Sequence, residues 1–218
     1  MVQRYKCVIF DVDGTLLDTS EGLISAVRYT INQFGLEQLD ENVMRTFIGP
    51  PIQDSFKRVY GFGDDKIRAM SYTFRERYKD EELLKARPYE GIYDVLETLV
   101  VHGIKLAIAT YKRQDYAAKL LKSFGFNKYT NIICGSDFEG KLRKKDITEL
   151  ALKDAGIRDY SGALMVGDSD NDAIGAEKIG IDFLGVTYGF GFETREDIYK
   201  FKAIGAAEST DEILKMII

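Results

Sequence analysis

The chain has 218 residues, 45% of them hydrophobic and 30% charged, with 35 acidic against 30 basic side chains and a formal net charge of −5. This balance excludes a disordered chain and argues against holding a nucleic acid polymer by bulk charge. No apolar run approaches the roughly 18 residues of a membrane span.

The N-terminal MVQRYKCVIF lacks the apolar core of a signal peptide. Cys7 and Cys134 stand far apart, each in an apolar run, and are expected to be buried reduced thiols, which places the protein in the cytoplasm. KCVIF (6–10) reads as a first buried strand. Residues 16–87 then carry helical patterns and no strand. Asp18, with Glu21 three residues on, reads as the N-cap of the first of these helices. Leu23, Ala26, Val27, Thr30, Ile31 and Phe34 form one amphipathic stripe, and Ile67, Met70, Phe74 and Tyr78 another. The charge-rich ERYKDEELLKAR (76–87) is expected to be a solvated helix face and hinge.

From Pro88 onward, strand and helix alternate. Ile92, Val95, Leu96, Leu99 and Val100 make a helix closed by Gly103; Tyr116, Ala117, Leu120, Leu121 and Phe124 make one closed by Gly125. Ile147, Leu150 and Ala151 begin a third, ended by Gly156. Between them lie the apolar runs KLAIAT (105–110), NIIC (131–134), ALMV (163–166) and IDFLGV (181–186). The pattern predicts an α/β fold, doubly wound, with a mainly parallel sheet covered on both faces. Residues 1–15 and 88–218 build the core, and 16–87 an inserted helical unit.

In such a sheet ligands bind beyond the carboxyl ends of the strands. There the sequence places Asp11 and Asp13, Thr110, Gly135–Asp137, and the run Gly167–Asp172. Carboxylates crowded at one crevice repel unless a cation neutralises them. An all-oxygen set without His or Cys favours Mg²⁺, with Asp11, Asp13, Asp168 and Asp172 as candidate ligands. The only histidine, His102, falls at a helix end. These parts suit phosphoryl transfer: one carboxylate attacks phosphorus, another serves the leaving group and water, Thr110 bonds a phosphate oxygen, and a lysine of KLRKK (141–145) neutralises it. Two rival motifs fail. GDSDND lacks the Gly and Glu of a calcium loop, and GSDFEGKL has Leu142 where a nucleotide-binding loop needs a hydroxyl.

Taken together, DVDGT (11–15), the Thr of IATYK, the lysine before the 146–156 helix and GDSDND (167–172) resemble the four motifs of the haloacid dehalogenase (HAD) superfamily, over essentially the whole chain. GSDFEG, LGVTYGFG and the GA at 205–206 are similar to its phosphoglycolate-phosphatase-like group. The resemblance implies a Rossmann-like core with an α-helical cap and hydrolysis of a small phosphorylated metabolite through an aspartyl phosphate. It implies Asp11 as nucleophile, Asp13 as general acid and base, and Thr110 and Lys145 on the phosphate. Mg²⁺ falls to Asp11, to Asp13 through its carbonyl, and to Asp168. Asp172 is then a ligand or an anchor behind the ligands. Lys144, beside Lys145, competes for the third motif, and Asp170 has no assigned role. A phosphomutase of the β-phosphoglucomutase type uses the same aspartate pair and stays open. Asp13 argues against a dehalogenase, and the intact pair against a non-catalytic binding module. Specificity is expected from inserted-unit side chains such as those of GPPIQDSFKR (49–58).

Overall fold

The computed structural model describes residues 4–218. Residues 1–3, which the sequence reading counted with the core and with the leaderless N-terminus, lie outside the described residues. From β1 (Cys7–Phe10) the chain passes through β2 (Leu17–Asp18) into α1 (Ser20–Gln33), α2 (Glu41–Arg45), α3 (Ile52–Tyr60) and α4 (Asp64–Arg77). It comes back through β3 (Arg87–Pro88), which pairs antiparallel with β2, Leu17 to Pro88 and Asp18 to Arg87. This ribbon ties the outgoing and returning chains together at the root of the insertion, in a stretch the sequence left without strands.

The remaining elements alternate: α5 (Ile92–Val101), β4 (Lys105–Arg113), α6 (Gln114–Ser123), β5 (Ile133–Ser136), α7 (Lys144–Asp154), β6 (Ala163–Gly167), α8 (Asp170–Ile179), β7 (Asp182–Val186), α9 (Arg195–Ile198), β8 (Gly205–Ala207) and α10 (Thr210–Ile217). Six parallel strands form one sheet in the order β5-β4-β1-β6-β7-β8. β1 has neighbours on both edges and helices on both faces, so no position in CVIF meets water and all four residues are buried.

Alternation along the strands sorts the core into two layers. Val8, Phe10, Leu106, Ile108, Leu164 and Val166 face the layer that includes α5, α6 and α10. Cys7, Ile9, Ala107, Ala109 and Met165 face the other, with Ile147, Ala151 and Ala176 from α7 and α8. Both cysteines are buried free thiols. The inserted helices close around Leu23, Val27, Ile31, Phe47, Phe56, Met70 and Phe74.

Three details correct the sequence reading. Leu150 is 40% exposed, and the buried stripe of α7 runs Lys144, Ile147, Thr148, Ala151 instead. The 76–87 charge run is not only a solvated face, because it buries Tyr78, Glu82 and Leu83. Thr19 rather than Asp18 stands at the N-cap of α1, while the Asp18 carboxylate accepts the Ser20 N–H at 2.9 Å.

Candidate active site

The chain fills the sheet on one side of β1 with β4 and β5, then crosses to the other side with β6, β7 and β8. A crevice opens at such a reversal. Asp11 follows β1 and Asp168 follows β6, so the topology alone brings them together. Asp172 joins them from the first turn of α8, where it closes a capping box: its Oδ2 accepts the Ser169 hydroxyl (2.7 Å) and N–H (3.2 Å). Asp11, Asp168 and Asp172 each offer a carboxylate oxygen within 4.8 Å of the others, and all three are buried.

Lys144 enters this cluster from the first turn of α7. Its Nζ lies 2.8 Å from Asp11 Oδ1 and 2.7 Å from Asp172 Oδ1, and it donates to the Ala109 carbonyl at 3.1 Å. Gly175 of α8 makes room, since a Cβ there would come 2.9 Å from Lys144 Cγ. Lys145 points elsewhere: its side chain is 48% exposed and sits 3.6 Å from Asp146. Of the two lysines that compete for the third motif, the geometry thus brings Lys144, and not the expected Lys145, to the cluster. On a helix, Lys144 shares a face with Ile147, Thr148 and Ala151, and extending that buried stripe back one turn would have found it.

A glycine-rich loop wraps the third carboxylate. Asp168 Oδ2 accepts the N–H groups of Phe190 (2.7 Å) and Gly191 (3.2 Å), while its backbone carbonyl accepts that of Phe192 (2.8 Å). Gly14, at φ +79°, turns the chain after Asp13, and any side chain on it would run into Asp168.

Burial dominates the electrostatics. It pushes the Asp11 carboxyl up to about 7, opposed by Lys144 and aided by Asp172 and Asp13. Burial likewise holds Asp168 well above the usual carboxylate range, aided by Asp172 and Asp11 and opposed by its two backbone N–H groups. Burial works against the Lys144 ammonium too, but Asp11 and Asp172 outweigh it and the lysine stays firmly charged. One ammonium among three buried carboxylates leaves a negative, all-oxygen hollow without His or Cys, a donor set that fits a hard cation such as Mg²⁺.

Asp13 belongs to a different neighbourhood. Its Oδ1 lies 2.9 Å from Lys112 Nζ and accepts the Thr19 hydroxyl. Lys112, buried in turn, donates to the Tyr78 hydroxyl at 3.0 Å. Asp13 thus faces the inserted helices while Asp11, two residues earlier, faces the cation hollow. The crowding of carboxylates makes Asp13 a candidate ligand beside Asp11, Asp168 and Asp172, but its carboxylate stands outside the cluster, which leaves only the carbonyl that the resemblance implies.

Neither Lys112 nor Thr19 was legible as a site residue. The signal for Lys112 is a bulge in β4. Ala109 pairs with Cys134 and Arg113 with Ser136, so four steps on β4 oppose two on β5. The extra residues push Thr110–Lys112 out of the ladder, the usual device for re-aiming side chains beside a site. Thr110 is buried there, and its Oγ1 accepts the Lys112 N–H at 3.2 Å. Asp170 begins α8 on the exposed side, with one carboxylate oxygen taking the Asn171 amide.

Comparison with known proteins decides the family. Residues 8–186 match the model of the haloacid dehalogenase-like hydrolases. The chain belongs to that family. It is 34% identical over 191 residues to a 5′-nucleotidase of Pseudomonas aeruginosa, covering 87% of this chain and 86% of that one. It is 33% identical over 190 residues to a phosphoglycolate phosphatase of Agrobacterium fabrum, covering 84% and 80%. The crystal structure of a predicted phosphatase from Clostridium acetobutylicum superposes with a TM-score of 0.91 at 34% identity, covering 98% of both chains. This HAD hydrolase therefore keeps the sheet order and the acidic strand ends on which its motifs rest, and no helix among its described residues is long and apolar enough to cross a membrane.

Proposed function

We propose that this HAD hydrolase is a Mg²⁺-dependent phosphatase that cleaves a small phosphomonoester through an aspartyl phosphate on Asp11. It is a phosphoric monoester hydrolase, the class to which its nucleotidase and phosphoglycolate phosphatase relatives are assigned by name. The observation that carries the mechanism is the split between Asp11 and Asp13: two buried carboxylates two residues apart, one in the cation hollow and one turned toward the inserted helices. A nucleophile and a leaving-group acid must stand on opposite sides of the phosphorus they share.

Asp11 attacks phosphorus while the bond to the leaving oxygen breaks and Asp13 gives that oxygen a proton. Asp13 then takes a proton from water as the water oxygen attacks phosphorus and the Asp11 carboxylate leaves. Thr110 and Lys144 hold the phosphoryl oxygens. Asp11 and Asp168 hold the cation, with the carbonyl of Asp13. Both oxygens of Asp172 already serve Ser169 and Lys144, which suits it to anchoring the lysine. Bound Mg²⁺ supplies charge neutralisation at the phosphoryl group. Residues 16–87 act as a cap over the crevice, hinged at the β2–β3 ribbon, and Asp13 parts from Lys112 to reach the leaving oxygen.

Hydrolysis of a generic aryl phosphate tests the reading. Removal of Mg²⁺ by chelation abolishes turnover, and Asp11→Asn lowers it at least about a thousandfold. Turnover that survives both changes overturns the proposal.

A further inference from the structure

A half-open cavity of about 70 Å³ lies between the inserted helices and the core, with Asp13 on its wall. Gln53, Phe74 and Arg75 line it from the insertion, and Lys112, Arg113 and Tyr116 from the core. It has room for several water-sized groups beside Asp13.

The cations on its wall are not equivalent. Lys112 is paired with Asp13. Arg113 engages its fork with Asp115, Nε and Nη2 each 2.6 Å from a carboxylate oxygen, and lies 3.9 Å over the Tyr116 ring. Arg75 lies 5.4 Å over the Phe138 ring but has no carboxylate partner. Among the described residues no carboxylate comes within ion-pair distance of it, and its one side-chain hydrogen bond goes from Nη2 to Gln53 Oε1 at 3.1 Å. A guanidinium carries five donors in a fork that matches a carboxylate or phosphate. Half-burial, and then the like charge of Arg113, hold Arg75 below its ordinary range, so it stands where an anion would stabilise it. Asp137 lines the cavity too, but its Oδ1 already accepts the Leu142 N–H at 2.9 Å. Gln53 is itself seated against the core, its amide beside the Glu139 carbonyl and over Gly140. The fork of Arg75 is thus aimed from a fixed point.

We propose that Arg75, oriented by Gln53, is a specificity residue that binds a second anionic group, a carboxylate or a phosphate, on the leaving-group side of the substrate. This rests on the phosphatase reading above and names the substrate class of that site: a short phosphoester or anhydride whose leaving group is itself an anion.

The test compares kcat/KM of wild type, Arg75→Gln and Arg75→Lys for three substrates. 2-Phosphoglycolate leaves a carboxylate, pyrophosphate leaves a phosphate, and glycerol 3-phosphate leaves a neutral group of similar size. Wild type prefers at least one anionic leaving group. Arg75→Gln lowers kcat/KM for that substrate by about 30-fold, the scale of a charge-assisted pair, while glycerol 3-phosphate changes less than about threefold. Arg75→Lys restores part of the loss. Whichever of the two anionic substrates falls identifies the anion. Equal losses on all three substrates, or no loss, overturn the assignment and leave the phosphatase reading standing. If wild type hydrolyses neither these three nor the generic aryl phosphate, that reading falls instead; if it hydrolyses the aryl phosphate alone, the reading stands; in both cases calorimetry with glycolate and inorganic phosphate decides the Arg75 site. Binding that Arg75→Gln removes supports the site, and binding it leaves unchanged overturns it.

Discussion

The two halves of the candidate site are built on different principles. The hollow of Asp11, Asp168, Asp172 and Lys144 rests on strand ends and helix first turns of the sheet core, and every member is held by that core. The neighbourhood of Asp13 is assembled across a seam: Lys112 from a β4 bulge, Thr19 from the root of the insertion, Tyr78 from the insertion itself. The first cannot change without deforming the sheet. The second would part if the inserted helices move as proposed, and would then open a way in for the substrate. On the reading proposed above, chemistry and recognition part at Val12, the single residue between Asp11 and Asp13.

The sharpest way to break this contrast is at Lys144. Lys144→Met removes the one cation between two fully buried carboxylates, and an uncompensated buried charge costs roughly 3–5 kcal/mol. Chemical denaturation should register a loss of that size without Mg²⁺, together with loss of turnover, whereas Lys145→Ala stays within about 0.5 kcal/mol. A Lys145 variant that matched Lys144→Met would show that the buried face of α7 has been misassigned.

At the seam the same kind of change should do less to the fold and more to the reaction. Lys112→Met leaves Asp13 with the Thr19 hydroxyl and with a boundary that can relax, so we expect about 1–3 kcal/mol. If Asp13 serves the leaving group, kcat falls by roughly 10²-fold, within the range for acid–base catalysis. The loss should be larger for a poor alkoxide leaving group than for an activated aryl phosphate. Equal losses on both would place Lys112 on the phosphoryl group instead.

The same contrast explains what could be read from the sequence. Continuous apolar strands ending in Asp11 and Asp168 are legible because two-sided burial and the sheet reversal act on contiguous residues. β8 is a three-residue GAA segment, too short to carry a period. The choice of Lys145 over Lys144 rests on the spacing from GSDFEG to the following helix, which leaves the two adjacent lysines open, whereas the buried face of α7 carries Lys144. Lys112 depends on a bulge, and Tyr78 on a contact with β4 some thirty residues away in a run that reads as solvated charge. Seam contacts of that kind leave no local pattern, which is why the cation hollow was largely legible and the specificity side was not.

Protonation offers a milder test of the hollow. The folded Asp11 carboxyl titrates near 7 and the unfolded one near 3.8, and Asp168 shifts the same way. Between these values the folded state binds more protons than the unfolded one, so this contribution to stability is full below about 4 and declines as pH rises toward 7. A cation must displace those protons. Thermal melts with and without Mg²⁺ should therefore show a stabilisation by the metal that grows from pH 5 to pH 7.5. A Mg²⁺ effect independent of pH, or one largest in acid, would count against the buried carboxylates as its ligands.

The smallest change addresses the seam alone. Tyr78→Phe keeps the ring that stacks on Phe74 at 5.2 Å and packs edge-on against Tyr116, and removes only the hydroxyl that accepts from Lys112. The stability cost is that of one hydrogen bond to a charged group, about 1–2 kcal/mol. Its effect on catalysis depends on what the hydroxyl does. If Tyr78 merely fills space, KM and kcat stay together within about twofold. If it ties Lys112, and through it Asp13, to the closed position of the insertion, then the tie is weakened in the free enzyme and KM should rise while kcat on an activated aryl phosphate is spared. Arg75→Gln is the control, because it lies on the same wall and should separate substrates by leaving-group charge, whereas Tyr78→Phe should shift them all alike. Variants that behaved identically would mean that the cavity acts as one packed unit, without distinct parts for closing and for recognition.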